Sequence, residues 1–216
     1  MKKLVIFDLD GTLLNTIADL AQSTNYALQQ LGFATHKEKA YYQFVGSGIA
    51  KLFERALPEK HRTAENVQKM KALFVPYYDK HNADLTAPYP GISNLLARLQ
   101  EQKIVLAVAS NKYQSATEKL VRHYFPEIKF AKVLGQREGL PVKPDPLLVK
   151  EILQHTQISA EDTLYVGDSD VDMQTAINSR VDACAVTWGF HALEELQKYQ
   201  PAFVANQAAD ILDFLD

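Results

Sequence analysis

The chain has 216 residues, of which 47% are hydrophobic and 23% charged, and it carries a formal net charge of -3. That length supports one large domain or one domain with an insertion, and the slight negative charge offers no attraction to nucleic acid or an anionic membrane. Cys184 is the only cysteine, which excludes an internal disulfide or a thiolate metal cluster. It also favours a reducing compartment, and the absence of any apolar stretch of spanning length makes the expected location cytoplasmic.

Leu4-Val5-Ile6-Phe7 predicts an inner parallel strand, too short for a signal sequence. It closes on Asp8-Leu9-Asp10-Gly11-Thr12. Two carboxylates one residue apart at the end of a buried strand need a cation or a shared proton to compensate them. Residues 15–31 then have apolar positions at helical spacing, with Asn15 or Thr16 as cap and Gly32 as stop. Helical pattern continues to residue 82, including 50–57 and 64–81, where Pro76 should start, end or kink the helix. Thr86-Ala87-Pro88-Tyr89-Pro90-Gly91 reads as a return linker.

From residue 91 onward helix and strand alternate. Strands are predicted at 104–109, 130–134, 163–166, 183–186 and 202–205. Helices are predicted at 92–100, 115–124, 146–154, 171–178 and 192–199, with a short one at the end. The fold class is therefore α/β, a Rossmann-like parallel sheet with helices on both faces and an inserted all-helical segment. The expected division is a core of 1–14 and 86–216 and a helical cap of 15–85. In a parallel sheet the carboxyl ends share one edge. Ser110-Asn111-Lys112, the Lys143 segment and Gly167-Asp168-Ser169-Asp170-Val171-Asp172 would converge there beside Asp8 and Asp10. That is the outline of a phosphate and divalent-metal site.

Asp8-Leu9-Asp10-Gly11-Thr12, then Ser110, then Lys143, then Gly167-Asp168-Ser169 with Asp172, resemble the four signatures of the haloacid dehalogenase superfamily of phosphohydrolases, in its order and over nearly the whole chain. Gly46-Ser47-Gly48 and Pro88-Tyr89-Pro90-Gly91 look most like the phosphoglycolate phosphatase branch. Asn15 departs from it, because many relatives have Asp there.

The resemblance implies a magnesium-dependent phosphatase acting on a small phosphorylated metabolite, 2-phosphoglycolate first among candidates. Asp8 would attack phosphorus and form an aspartyl-phosphate, and Asp10 would act as acid and then base. Ser110 and Lys143 complete the expected catalytic set, and Thr12, Ser110, Asn111 and Lys143 the phosphate-binding set. Mg²⁺ would be held by Asp8, the Asp10 main-chain carbonyl and Asp168. Asp172 would support Lys143 or a metal-bound water. Hard oxygen ligands without His or Cys suit magnesium better than zinc.

Taken alone, Ser110 would serve equally as a helix cap. Lys143 alone would pass for a surface lysine, although Pro144 biases it towards an extended backbone and Asp145-Pro146 starts a helix that would fix it. The alternatives of other classes are a β-phosphoglucomutase-like phosphosugar mutase, a pyrophosphatase, and a non-catalytic phospho-acceptor module. Thr12 disfavours the mutase, whose relatives usually carry Val there. No nucleic acid or membrane partner is expected, and the expected state is a monomer or homodimer. Gly46-Ser47-Gly48 lacks the third glycine of a dinucleotide fingerprint, the six histidines show no ligand spacing, and Trp188 reads as packing near the last strands.

Overall fold

A computed structural model describes residues 2–215. Strand β1 (Leu4–Phe7) is buried along its whole length and leads into a two-residue strand, β2 (Leu14–Asn15). Helices α1 (Ile17–Gln30), α2 (Glu38–Phe44), α3 (Ile49–Ala56) and α4 (Ala64–His81) follow. Strand β3 (Ala87–Pro88) then returns the chain antiparallel to β2. The remainder alternates through α5 (Ile92–Glu101), β4 (Val105–Tyr113), α6 (Gln114–Tyr124), β5 (Phe130–Gln136), α7 (Leu147–Thr156), β6 (Thr163–Gly167) and α8 (Asp170–Ser179). It ends with β7 (Asp182–Val186), α9 (Leu193–Leu196), β8 (Phe203–Ala205) and α10 (Asp210–Leu215).

The six-stranded sheet has the order β5-β4-β1-β6-β7-β8, and every pairing in it is parallel. Such a sheet needs cover on both faces. One face packs Val5, Phe7, Leu106, Val108 and Leu164 against α5, α6 and α10, and the other packs Leu4, Ile6, Ala107 and Tyr165 against α7 and α8. Because β1 lies between β4 and β6, its carboxyl end stands at the crevice where α/β folds bind ligands. A separate core holds α1 to α4 together around Tyr41, Phe53, Phe74 and Tyr78, and Phe190 from the β7–α9 loop joins it.

Three local features sharpen the sequence expectation. β4 extends through Ser110-Asn111-Lys112-Tyr113, because Tyr113 resumes pairing with Gln136 after an irregularity at Ala109; Ser110 therefore starts no helix. Asn15 pairs with Ala87 in the β2–β3 ribbon, and Thr16, the other expected cap, stands at the amino end of α1, which begins at Ile17. α4 runs on through Pro76, where burial of Met70, Phe74 and Tyr78 outweighs the backbone hydrogen bond that proline removes.

The ribbon is fastened by a carboxylate. Asp19, buried on α1, accepts hydrogen bonds from the amides of Leu85 and Thr86 and from the Thr86 hydroxyl at 2.7–3.1 Å. The start and end of the helical insert are thereby tied at one point.

Candidate active site

Asp8 is the first residue beyond β1, and its amide donates to Val166 O at 2.9 Å, so the backbone pairing of β1 and β6 fixes its place. Gly11 turns the chain at φ +85°, and a β-carbon there would lie 2.3 Å from Asp168 Oδ2. Glycine is required on both counts. The turn brings Thr12 round so that its hydroxyl donates to Asp168 Oδ1 at 3.0 Å.

Asp8, Asp168 and Asp172 are all buried, and one carboxylate oxygen from each lies within 4.8 Å of the others. Asp172 is fully engaged. Its Oδ1 accepts from Lys143 Nζ at 2.7 Å and from the Tyr165 hydroxyl at 3.2 Å, and its Oδ2 accepts from the amide and hydroxyl of Ser169 in a capping box that starts α8. Asp168 keeps bonds from Thr12 and from the Phe190 amide at 2.8 Å. Lys143 Nζ stands 3.0 Å from Asp8 Oδ1 but off hydrogen-bonding geometry, which leaves that oxygen without a hydrogen-bond partner among the described residues.

Burial, and then repulsion from Asp172, pushes Asp8 up to about 8, with Lys143 pulling the other way. Asp168 is also raised, by burial first, while His191, 3.9 Å away, acts against the rise. Lys143 is held well above the usual lysine range because the charges of Asp172 and Asp8 overcome its burial. The three buried carboxylates thus have one ammonium, paired with Asp8 and Asp172, and the Asp8 oxygen without a hydrogen bond and the all-oxygen donor set suit a hard divalent cation.

Asp10 stands outside this cluster. Its Oδ1 accepts from the Thr16 hydroxyl at 2.7 Å and its Oδ2 from Lys112 Nζ at 3.0 Å. Ser110 is buried beside it, its oxygen accepting from the Lys112 amide at 3.3 Å. Asn111, expected to meet phosphate, has its side-chain amide engaged by neighbouring backbone. Its oxygen accepts from the Lys143 amide, and its nitrogen donates to Lys143 O and, across to the helical insert, to Gly46 O. Thr12, also expected to meet phosphate, gives its hydroxyl to Asp168 and its amide to Leu9 O. Both residues hold other site residues in position.

Three contributors carried no role in the sequence reading. Lys112 lies two residues past Ser110, and its place near the end of β4 was the available signal. Tyr165, read as strand core, accepts from Lys143 Nζ at 2.9 Å and shares its one hydroxyl proton between Asp172 Oδ1 and Ala109 O. The loop 187–191 reaches back to the site: Trp188 Nε1 donates to Thr12 O at 3.0 Å, and Gly189 lets the backbone pass against Asp168.

A parallel sheet with this acidic cluster at its carboxyl edge defines a class, and sequence comparison agrees with it. The model of the haloacid dehalogenase-like hydrolase family matches residues 5–186, and the chain belongs to that family. It is an enzyme of the phosphoric monoester hydrolase type. The phosphoglycolate phosphatase of Aliivibrio fischeri is 30% identical over 219 residues, covering 99% of this chain and 96% of its own. That of Vibrio parahaemolyticus is 29% identical over 216 residues, covering 98% and 95%. A crystal structure from Lactobacillus delbrueckii subsp. bulgaricus, assigned as a phosphoglycolate phosphatase, superposes with a TM-score of 0.91 at 33% identity, covering 100% of this chain and 99% of the other. No helix among the described residues is long and apolar enough to cross a membrane.

Proposed function

We propose that this chain is a magnesium-dependent phosphatase of a small phosphorylated metabolite, with 2-phosphoglycolate the leading substrate, working through an aspartyl-phosphate on Asp8. The observation that carries this reading is the pair of unlike carboxylates at the end of β1. Asp8 has an oxygen with no hydrogen-bond partner within the acidic cluster, ion-paired to Lys143, whereas Asp10 faces the helical insert, held by Thr16 and Lys112. That separation fits a nucleophile and a proton-transfer group on opposite sides of a transferring phosphoryl group.

Asp8 attacks phosphorus while Asp10 protonates the leaving alkoxide. Asp10 then takes a proton from the water that hydrolyses the acyl phosphate. Lys143, locked by Asp172 and Tyr165, sets charge beside the nucleophile, and the Ser110 hydroxyl donates to the phosphoryl oxygens. Asp8, the Asp10 carbonyl and Asp168 would hold Mg²⁺, which supplies neutralisation of the equatorial oxygens when bound.

Residues 15–85 serve on this reading as a cap that closes over the site and excludes water. In support, the space between insert and core, lined by Asp8, Asp10, Ser110 and Lys112 from the core and by Leu52 and Phe74 from the insert, leaves about 50 Å³ open to the centres of water molecules. That is room for a handful of waters, and so for a small leaving group rather than a phosphoprotein.

The test is phosphate release from a panel of phosphorylated metabolites with magnesium, scored by kcat/KM. Preferred release from a small ester is expected. Isomer formation without phosphate release would identify a mutase, and phosphorylation of Asp8 without turnover a phospho-acceptor module; either result would overturn the proposal.

A further inference from the structure

We propose that Lys112 is the specificity-determining residue of the site, binding a second anion of the substrate, a carboxylate one methylene away from the bridging phosphate oxygen. This rests on the phosphatase reading above and names the residue that selects the substrate class.

The cavity beside Asp8 and Asp10 is walled on the insert side by Leu20, Val45, Ile49, Leu52 and Phe74, and Lys112 is the one cation among the described residues that line it. Apart from Tyr78, whose hydroxyl has no hydrogen-bond partner among the described residues, this wall is apolar and offers little to the several hydroxyls of a sugar, whose burial without partners would weaken binding. The Lys112 side chain is only 3% exposed. Its ammonium lies 4.7 Å from the centroid of the Tyr78 ring and makes a single hydrogen bond among the described residues, to Asp10 Oδ2 at 3.0 Å. Lys143, by contrast, is already hydrogen-bonded to Asp172 and Tyr165 and ion-paired with Asp8, and it does not line this cavity.

A buried ammonium with one partner, facing a cavity, can accept an anion there at little further desolvation. The geometry sets which anion. Asp10 must reach the bridging oxygen in order to protonate it, and Lys112 Nζ sits within hydrogen-bond distance of Asp10 itself. A carboxylate joined to that oxygen through a single methylene therefore arrives at Lys112 when the phosphoryl group is at Asp8. The carboxylate takes the place of Asp10 on the ammonium, and Asp10 is released to face the leaving oxygen. The amino end of α3, where Gly48 and Ile49 line the same cavity without a side-chain cap, adds favourable dipole at the carboxylate.

The experiment compares 2-phosphoglycolate with ethyl phosphate, which has the same length without the carboxylate, in wild type, Lys112→Met and Lys112→Arg. Methionine keeps the apolar stem against Tyr78. Whatever the substitution takes from both esters through Asp10, the ratio of the two kcat/KM values should fall at least about 30-fold in Lys112→Met and recover in part in Lys112→Arg. An unchanged ratio would overturn the proposal while leaving the phosphatase intact, as would a wild-type enzyme that does not favour the carboxylate ester. If neither ester is hydrolysed and the metabolite panel also releases no phosphate, the phosphatase reading has failed; in either case calorimetric binding in an Asp8→Asn background decides the subsite. There, Lys112→Met should weaken 2-phosphoglycolate at least about 10-fold relative to inorganic phosphate, and equal weakening of both would overturn the proposal.

Discussion

Gly189→Ala would test the proposed metal ligand without touching a polar group. A β-carbon at this position would lie 2.2 Å from Asp168 Cβ and 2.4 Å from its Oδ2, against ordinary contacts that begin near 3.4 Å. Relief therefore requires a relative displacement of more than about 1 Å. Asp168 cannot give way freely, because the Thr12 hydroxyl at 3.0 Å and the Phe190 amide at 2.8 Å hold its two oxygens, and the loop is pinned by Trp188 on Thr12 O. Overpacking of this kind destabilises by about 1–3 kcal/mol, and a shift of about 1 Å at a reacting centre lowers turnover about 100-fold. The assay is kcat/KM against magnesium concentration, alongside thermal unfolding. Expected are a kcat/KM about 100-fold lower, an apparent magnesium affinity at least about 10-fold weaker, and a Tm lower by several degrees. A variant with wild-type magnesium dependence and turnover would refute the placing of Asp168 at the metal.

Asp168→Ala should weaken apparent magnesium affinity more than Asp172→Ala, whose oxygens are already taken by Lys143, Tyr165 and Ser169; magnesium titration of both variants checks the order, and the reverse order exchanges their roles. Asp19→Ala should destabilise by about 2–4 kcal/mol, since three donors in Leu85 and Thr86 lose their acceptor; denaturant unfolding measures it, and a loss under about 0.5 kcal/mol would refute the fastening role. Asp8 is raised in the folded state from 3.8 to about 8, so its contribution favours folding below pH 3.8 and is lost as pH rises towards 8. In chelator, the Tm of Asp8→Asn should therefore gain on wild type across that window, and parallel Tm curves would contradict it.

Sheet and site edge were legible because inner parallel strands are apolar runs and the reactive side chains stand just past their ends. Asp8, Asp10, Ser110, Lys143, Asp168 and Asp172 meet where that rule puts them. The partners of each side chain were not legible. Thr12 and Asn111 carry donors that phosphate could use, but the fold brings Asp168 and the Lys143 backbone to them from far along the chain. Lys112 was hidden for a related reason, since a lysine next to a strand end reads as solvated until the helical insert buries it. Pro76 lies inside α4 and Asn15 in the β2–β3 ribbon, because packing of α4 and pairing of Asn15 with Ala87 outweigh what each residue prefers alone.

The central claim is that Asp8 carries the phosphoryl group. Steady-state phosphate release from 2-phosphoglycolate with saturating magnesium, measured for wild type and for Asp8→Asn shown to be folded, tests it most directly. Wild type should turn over and lose activity in a general chelator, and Asp8→Asn should be slower by at least about 1,000-fold, because the amide keeps the shape but has no anionic oxygen to attack phosphorus. A folded Asp8→Asn enzyme that keeps substantial turnover would contradict the account.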